Sequence, residues 1–270
     1  MQFVDKALAR RLESAEEMPQ VEYAHYYARV RPEIGATVEP IAGGHMIFAG
    51  LNSPIGRAVG MGFSAPVTAE ELDRLEDFYR SKSAPAQLDY TPLSDPSLLE
   101  LTKQRGYGIA ELNNVHFLSL NNLEPVGKLN GFEIRRATKD AARDLSSIVA
   151  RSFFEKGDMP EGFDDLITPM YEFAGSLTYG VAVDGKFVAA GAGLVIPEHR
   201  IFALFGAGTL PEFRGRGIQT ALLRTRLLAA AEAGCEYAVI VTQGGTTSER
   251  NCVRLGFRTA YSKATLIRNW

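Results

Sequence analysis

The spacing of apolar and polar residues predicts a chain that alternates between helices and strands in two successive halves. In the first half, apolar residues recur with a helical period in three segments: 1–20, 70–81 and 95–103. Runs bounded by turn residues predict five strands there: 21–30, 43–50, 56–63, 87–90 and 115–120. Thr68 and Glu71 have the spacing of a capping box, which predicts the start of the second helix.

The same alternation restarts after a polar segment. Residues 121–130 contain Pro125 and Gly127 and show no hydrophobic period, as is typical of a linker. Six strands are predicted beyond it: 132–135, 178–183, 186–195, 200–210, 237–242 and 259–268. Three helices are predicted: one that follows Thr138, one at 219–233 and one at 248–255. We therefore expect an α/β fold of the mixed α+β type, with a mixed, largely antiparallel twisted sheet flanked by helices in each of two domains.

Composition narrows the classes of function. The chain has 270 residues, of which 46% are hydrophobic and 23% charged, and a formal net charge of −3. No basic surplus is present to neutralise phosphates, so we expect no nucleic-acid partner. No apolar run is long enough to span a membrane and charges interrupt residues 1–17, which favours a cytoplasmic protein without membrane contact. Cys235 and Cys252 lack the spacing of metal ligands, so we expect no metal.

The turn between the strand at 200–210 and the helix at 219–233 is rich in glycine and arginine: Arg214-Gly215-Arg216-Gly217. Glycines let a backbone approach a ligand closely, and the first turn of a helix offers unpaired N–H groups with a partial positive charge. Such a turn suits a pyrophosphate, although a tight turn with solvated arginines explains the same residues. No Gly-Lys-Ser/Thr follows and a third glycine is missing, which excludes a Walker loop and the dinucleotide fingerprint.

The segment Arg214-Gly215-Arg216-Gly217-Ile218-Gln219 resembles the acetyl-CoA loop of the GNAT superfamily of N-acetyltransferases, whose pattern is Arg/Gln-x-x-Gly-x-Gly/Ala. Arg214 and Gly217 match this pattern, and Gln219 departs from its final small residue. A second stretch, 248–257, is similar to the helix and Gly-Phe turn that end many GNAT domains. The resemblance implies a GNAT domain at 131–270, preceded by a linker at 123–130 and a first domain at 1–122.

The resemblance also implies an acetyl-CoA site made largely of backbone groups. The pantetheine arm would be held by four strand residues: Ala207, Gly208, Thr209 and Leu210. The pyrophosphate would be bound by the turn and the helix start: Arg214, Gly215, Arg216, Gly217, Ile218, Gln219 and Thr220. Asn251 is similar in place to an asparagine beside the cofactor arm, and a cap or turn role explains it equally well.

Acetyl transfer releases the thiolate of coenzyme A, which needs an acid to protonate it, and the sequence offers two candidates for that acid. Many GNAT enzymes use a tyrosine four residues before the glycine of the closing turn, and here Cys252 holds that position. A thiol with a pKa of about 8.5 could donate the proton, whereas a small buried residue is the alternative. Tyr261, on the last strand, is the second candidate acid, with packing as its alternative role. His199 falls in a turn between strands and carries little weight.

The loop after the first helix of the second half is acidic. Glu155, Asp158 and Glu161 could attract a cationic amine acceptor, and a solvated acidic loop is the alternative interpretation. A base is missing from the strand at 200–210, where some GNAT enzymes hold a carboxylate.

The first half resembles a degenerate copy of the second. Gly106-Tyr107 stands where Gly256-Phe257 stands, and a predicted strand follows each pair. A strand and a helix from Glu70 are similar to the strand-loop-helix of the cofactor site, but the loop 64–69 between them lacks paired glycines and arginines. We therefore expect tandem GNAT-like domains, of which the first lacks a cofactor loop and supports the second or shapes its acceptor cleft.

The leading hypothesis is an N-acetyltransferase that moves an acetyl group from acetyl-CoA to the amine of a small molecule or amino-acid-like acceptor, by direct attack in a ternary complex. The alternative is a non-catalytic acyl-CoA-binding or sensing module, since the usual tyrosine is absent. A third, a nucleotide-phosphate binder, is disfavoured because no magnesium-ligand pattern is present. The oligomeric state stays open, a homodimer included, and the sequence does not identify the acceptor.

Overall fold

The structure is a computed structural model that describes residues 3–51, 53–127, 129, 131–154, 159–160 and 162–270. The chain forms two compact units. Unit 1 consists of three segments: Met1–Phe117, Val241–Arg250 and Arg258–Trp270. Unit 2 consists of two: Leu118–Ile240 and Asn251–Phe257. The predicted linker has neither helix nor strand at its described residues, 121–127 and 129.

The described residues form α-helices and strands in alternation, as the hydrophobic pattern predicts. The helices are α1 (Lys6–Val30), α2 (Ala69–Ser81), α3 (Pro96–Gln104), α4 (Ala142–Phe153), α5 (Ile218–Glu232) and α6 (Thr247–Arg254). The strands are β1 (Thr37–Ile41), β2 (Gly44–Phe48), β3 (Ala58–Val59), β4 (Ala86–Tyr90), β5 (Gly108–Ser119), β6 (Glu133–Arg136), β7 (Tyr179–Val183), β8 (Lys186–Ile196), β9 (Ile201–Thr209), β10 (Tyr237–Thr242) and β11 (Arg258–Arg268).

In unit 1 the strand order is β1-β2-β3-β4-β11-β5. All neighbours are antiparallel except β3 and β4. The apolar face of α2, with Leu72, Leu75 and Tyr79, packs in one core with Leu88 of β4 and Leu266 of β11. The last strand of the chain therefore completes the sheet and core of unit 1.

The start of α2 is closed by its own side chains. The Thr68 hydroxyl accepts the N–H of Glu71, and the Glu71 carboxylate accepts the N–H of Thr68, so the predicted capping box is confirmed. Glu70 and Glu71 place two negative charges in the first turn. Because these groups use the first-turn N–H donors and repel anions, this helix start is unsuited to a phosphate.

In unit 2 the strand order is β6-β7-β8-β9-β10, antiparallel up to β9 and parallel between β9 and β10. The hairpin between β7 and β8 turns at Asp184 and Gly185, which have φ of 48° and 80°, as expected for a two-residue turn. Leu145 and Val149 of α4 pack with alanines of β8. A separate apolar cluster joins α5, through Leu223 and Leu227, to β9 and α6. These two helices hold the β8–β9 region from which the glycine-rich turn emerges.

Two local predictions in the first half are wrong. Residues 21–30, predicted as a strand, continue α1 to Val30, and Pro19 lies inside that helix. The aromatic residues explain the difference, because Tyr23 and Tyr27 are one helical turn apart and their ring centroids lie 4.9 Å apart. The strand β1 (Thr37–Ile41) was not predicted, since two successive exposed positions, Glu39 and Pro40, interrupt its alternation.

The compact units also differ from the predicted domains. The prediction assigns all of 131–270 to the second domain, whereas Val241–Arg250 and Arg258–Trp270 belong to unit 1. Strand pairing is the reason: β11 runs antiparallel to both β4 and β5. The roles assigned to the domains stay predictions.

Candidate functional site

The glycine-rich turn of unit 2 connects β9 to α5 through a short 3₁₀ turn at Pro211–Phe213. Gly215 has φ of 74° and Gly217 φ of 78°, a left-handed conformation that costs other residues about 1–2 kcal/mol. Gly217 is the N-cap of α5, and no side chain of the described residues caps the helix there. The two glycines therefore give the turn its shape and leave the helix start open.

The amides of this turn form a row of unused donors. The first intrahelical bond runs from the Ala221 N–H to the Gly217 carbonyl. Within the described part of the chain, none of the six preceding N–H groups, from Gly215 to Thr220, donates a hydrogen bond. No acidic residue lies in the first turn of α5. A row of amides at a helix start, with the positive end of the helix dipole behind it, binds phosphate groups.

The side chains of the turn support its frame. The Arg214 guanidinium donates to the Ser152 carbonyl at 2.5 Å and to the Thr209 carbonyl at 3.3 Å, so it links α4 to the end of β9. The Arg216 guanidinium is exposed and lies 5.5 Å from the Phe213 ring centroid. Gln219 donates to the Thr209 hydroxyl at 2.8 Å. The residue that departs from the family pattern therefore binds the preceding strand instead of pointing away from it.

The strand β9 carries a bulge immediately before its predicted cofactor-binding residues. Two steps along β8, from Ala190 to Ala192, correspond to three steps along β9, from Gly208 back to Phe205. Gly206 has φ of 52°, and its carbonyl accepts the Tyr171 hydroxyl at 2.5 Å. A bulge redirects the backbone groups of one strand, here at the step into Ala207.

Among the described residues, β9 has a free edge that begins just before that bulge. The parallel ladder with β10 ends at the pair Ala203 and Val239, and β9 continues to Thr209. A Cβ on Gly208 would lie 2.0 Å from the Ser152 Oγ, so only glycine allows α4 to pack this closely on β9. The end of β9 can thus offer backbone donors and acceptors to a ligand along its edge, while α4 packs against Gly208 and fixes the strand.

Cys252 and Asn251 lie on α6. The Cys252 side chain is 1% exposed and belongs to the apolar cluster of α5 and β9, with Phe202 and Phe257. Asn251 is half-buried, and its side chain makes no hydrogen bond to the described residues. The structure therefore places Cys252 inside unit 2, and its role as an acid stays a prediction.

Tyr261 lies on β11 in unit 1, where its hydroxyl donates to Glu13 Oε1 at 2.8 Å. Burial, and after it the charge of Glu13, hold the pKa of the Tyr261 hydroxyl well above its usual value. A hydroxyl with a raised pKa gives up its proton less readily. The role of Tyr261 as an acid stays a prediction.

Unit 1 also contains a charge cluster formed by Glu13, Glu16, Asp89 and Lys263. The Lys263 ammonium lies 3.2 Å from Asp89 Oδ2 and 3.8 Å from one oxygen of each glutamate. Burial lowers the pKa of Lys263, but the charges of the three carboxylates outweigh it and the net shift is upward. The periodicity of α1 did not indicate this cluster, because the ion-pair partners Asp89 and Lys263 lie on distant strands.

Sequence reasoning missed two buried polar side chains of unit 2, Tyr171 and Arg226. A signal for Arg226 exists: it stands four residues from both Leu222 and Ala230, in the middle of the buried face of α5. No comparable signal marks Tyr171, because it lies in a short 3₁₀ turn without a hydrophobic period.

The remaining predicted residues add little to the site. Glu155, Asp158 and Glu161 lie outside the described residues. His199 lies in the turn between β8 and β9, where its N–H donates to the Ile196 carbonyl. Within the described ranges, no group of three or more His, Cys, Asp or Glu residues could hold a metal ion. No helix among those residues is both long and apolar enough to cross a membrane.

Comparisons with solved structures agree on the fold. A GCN5-related N-acetyltransferase from Kribbella flavida has a TM-score of 0.70 and 15% identity, with 97% of this chain and 96% of that chain covered. A second, from Sphaerobacter thermophilus, has a TM-score of 0.58 and 15% identity over 98% and 93% of the two chains. A tandem GNAT protein from the clavulanic acid biosynthesis pathway has a TM-score of 0.59 and 11% identity over 83% and 77%. No curated protein matches the sequence.

The predicted fold class, a mixed α/β arrangement of tandem GNAT-like domains, is confirmed by these likenesses. The family model for the acetyltransferase (GNAT) family matches residues 142–257, a range that begins at α4 and contains β9, the open amide row and α5. Residues 142–257 of this chain therefore form a domain of the GNAT acetyltransferase family.

Proposed function

We propose that the protein is an N-acetyltransferase that transfers the acetyl group of acetyl-CoA to the amine of a small molecule or amino-acid-like acceptor. The observation that carries the proposal is the row of six unused amides from Gly215 to Thr220 at the open start of α5. Oriented amides at a helix N-terminus are suited to a pyrophosphate, which coenzyme A supplies. Arg216 adds a positive charge at the exposed side of the same turn.

The arm of the coenzyme would follow the free edge of β9. Residues Ala207 to Leu210 connect the bulge to the turn, so their backbone groups would bind the amides of the pantetheine arm as an additional strand does. Arg214 would act indirectly, because its guanidinium already holds the carbonyls of Ser152 and Thr209 together. The frame is thus prepared before the coenzyme binds.

The transfer itself requires little covalent chemistry from the protein. A neutral amine attacks the thioester carbonyl, the new C–N bond forms, the C–S bond breaks, the amine loses a proton and the thiolate gains one. Positioning contributes up to about 7–11 kcal/mol in well-oriented systems, and acid–base assistance adds about 10²–10⁴-fold. Cys252 and Tyr261 are the two candidates for the proton donor.

A non-catalytic acyl-CoA-binding module is the second candidate function. The observation in its favour is the cysteine at the position where many GNAT enzymes use a tyrosine, since Cys252 is only 1% exposed. Both functions require the amide row, so binding of acetyl-CoA alone does not separate them.

Release of the coenzyme A thiol in the presence of amines separates the two functions. The purified chain is incubated with acetyl-CoA and a panel of amino acids, polyamines and aminoglycosides, and thiol release is measured against a reaction without acceptor. We expect at least one amine to accelerate thiol release and to appear as its N-acetyl product. Binding of acetyl-CoA without acceleration by any amine of the panel would contradict the enzyme and favour the binding module.

A further inference from the structure

Arg226 is a cation in the interior of unit 2. Its side chain is 2% exposed and lies on the buried face of α5, between Leu222 and Ala230. Burial lowers the pKa of its guanidinium to about 10, with the nearby Tyr171 and Cys252 acting in the opposite direction. The group therefore remains charged at neutral pH.

Most of the hydrogen-bonding capacity of Arg226 is unused. Nη1 donates to the Ala192 carbonyl at 2.8 Å, and Nε donates to the Leu222 carbonyl at 3.4 Å. A guanidinium has five N–H donors, so three remain, one on Nη1 and two on Nη2. Within the part of the chain that the structure describes, Arg226 forms no ion pair and Nη2 donates no hydrogen bond. A buried charge without a counter-charge costs several kcal/mol, which an incoming anion would offset.

The backbone makes room for this guanidinium. A Cβ on Gly191 would lie 2.7 Å from the Arg226 Cζ, so the group rests against bare backbone that only a glycine provides. Ala192, whose carbonyl Arg226 binds, is paired with Phe205 at the bulge of β9. The guanidinium is thus located at the bulge, where the proposed path of the coenzyme arm begins.

The phosphates of the coenzyme are not the expected anion. In the proposed function the amide row already binds the pyrophosphate, and the Arg226 guanidinium lies deeper along α5, beside the Leu222 carbonyl. A planar guanidinium with donors left on both Nη atoms suits a carboxylate, which accepts two such hydrogen bonds.

We propose that Arg226 is a specificity-determining residue that pairs with a carboxylate of a substrate at the transfer site. The inference rests on the proposed function and extends it to the class of substrate. The carboxylate belongs either to a dicarboxylic acyl group on the coenzyme, as in malonyl-CoA or succinyl-CoA, or to an amino-acid acceptor. In both cases a carboxylate accepts hydrogen bonds from the Arg226 guanidinium.

The donor arm of the test compares acyl groups of equal length with and without a carboxylate. Affinities of the full chain for coenzyme A, propionyl-CoA, malonyl-CoA, butyryl-CoA and succinyl-CoA are measured by calorimetry, and repeated with Arg226→Met and Arg226→Lys. If the acyl group carries the carboxylate, malonyl-CoA or succinyl-CoA binds at least tenfold more tightly than its neutral counterpart. Arg226→Met then abolishes that ratio without changing the affinity for coenzyme A, and Arg226→Lys retains part of it.

The acceptor arm compares amino acids with the corresponding amines that lack the carboxylate, using thiol release from acetyl-CoA. If the acceptor carries the carboxylate, amino acids show at least a tenfold higher kcat/KM, and Arg226→Met removes the preference mainly through KM. The inference would be overturned if the unmodified chain bound carboxylated and neutral acyl-CoAs equally tightly and also acetylated amino acids and the corresponding amines with equal kcat/KM. This outcome does not depend on whether the variants fold. Failure of coenzyme A itself to bind would overturn the proposed function first, so the two failures are distinguishable.

Discussion

Replacing Lys263 with methionine is expected to lower the free energy of unfolding of unit 1 by about 3–5 kcal/mol, because the substitution leaves three buried carboxylates with Arg57, 3.5 Å from Asp89, as their remaining counter-charge. The Lys263 ammonium is 4% exposed and lies 3.2 Å from Asp89 and 3.8 Å from Glu13 and Glu16. The measurement is urea unfolding followed by the fluorescence of Trp270. This residue is the single tryptophan of the chain, and its indole N–H donates to the Ala84 carbonyl within unit 1.

Two further variants make this expectation specific. Lys103→Met removes an exposed lysine from the end of α3, and we expect it to change stability by no more than about 0.5 kcal/mol. Glu13→Gln combined with Lys263→Met should recover part of the loss, because the amide still accepts the Tyr261 hydroxyl but carries no charge. Equal unfolding midpoints for Lys263→Met and the unmodified chain would show that Lys263 does not stabilise the cluster.

The pH dependence of this contribution has a definite sign. The folded pKa of Lys263 is raised above its ordinary value of 10.5, so its stabilisation is fully present below pH 10.5 and is lost as the pH rises through the raised value. Burial raises the pKa of Glu13 and Glu16, and the charge of Lys263 opposes that rise. The difference in stability between Lys263→Met and the unmodified chain should therefore be largest above neutral pH, shrink in acid as these glutamates are protonated, and shrink again in strong alkali.

Replacing Gly215 with glutamate is expected to weaken acetyl-CoA binding on the order of 100-fold, since a carboxylate in the turn competes for the amides and repels the pyrophosphate. Gly215 has φ of 74° and open space at its Cβ position, so an added Cβ meets no neighbour within 4 Å. The measurement is calorimetric titration with acetyl-CoA.

Gly234→Glu is the matched control for this loss. Gly234 follows the other end of α5, has φ of 87° and has equally open space at its Cβ position. The backbone strain is therefore similar in both variants, while only Gly215→Glu places charge at the amide row. Equal weakening by the two substitutions would attribute the effect to strain and would contradict a phosphate site at Gly215–Thr220.

The sequence was most informative where short-range patterns decide the structure. The capping box at Thr68, the Asp184-Gly185 hairpin and the helix that follows Gly217 depend on neighbouring residues alone, and each is found close to its predicted position. The glycine-rich turn also follows from local chemistry, because two left-handed positions before a helix require glycine.

Features that depend on distant partners were not predictable from these patterns. The membership of β11 in unit 1 depends on pairing with β4 and β5, which lie far earlier in the chain. The bulge of β9 is visible only in its register with β8. The burial of Arg226 requires the absence of a side chain at Gly191, which helical periodicity on α5 cannot reveal.

The most direct test of the acetyl-CoA site is a pair of titrations with the unmodified chain, one with acetyl-CoA and one with acetyl-pantetheine, which has the same thioester but no pyrophosphate. If the open amides from Gly215 to Thr220 hold the pyrophosphate, acetyl-CoA binds and acetyl-pantetheine binds at least tenfold more weakly. Equal affinity for the two compounds, or no binding of acetyl-CoA, would contradict the account.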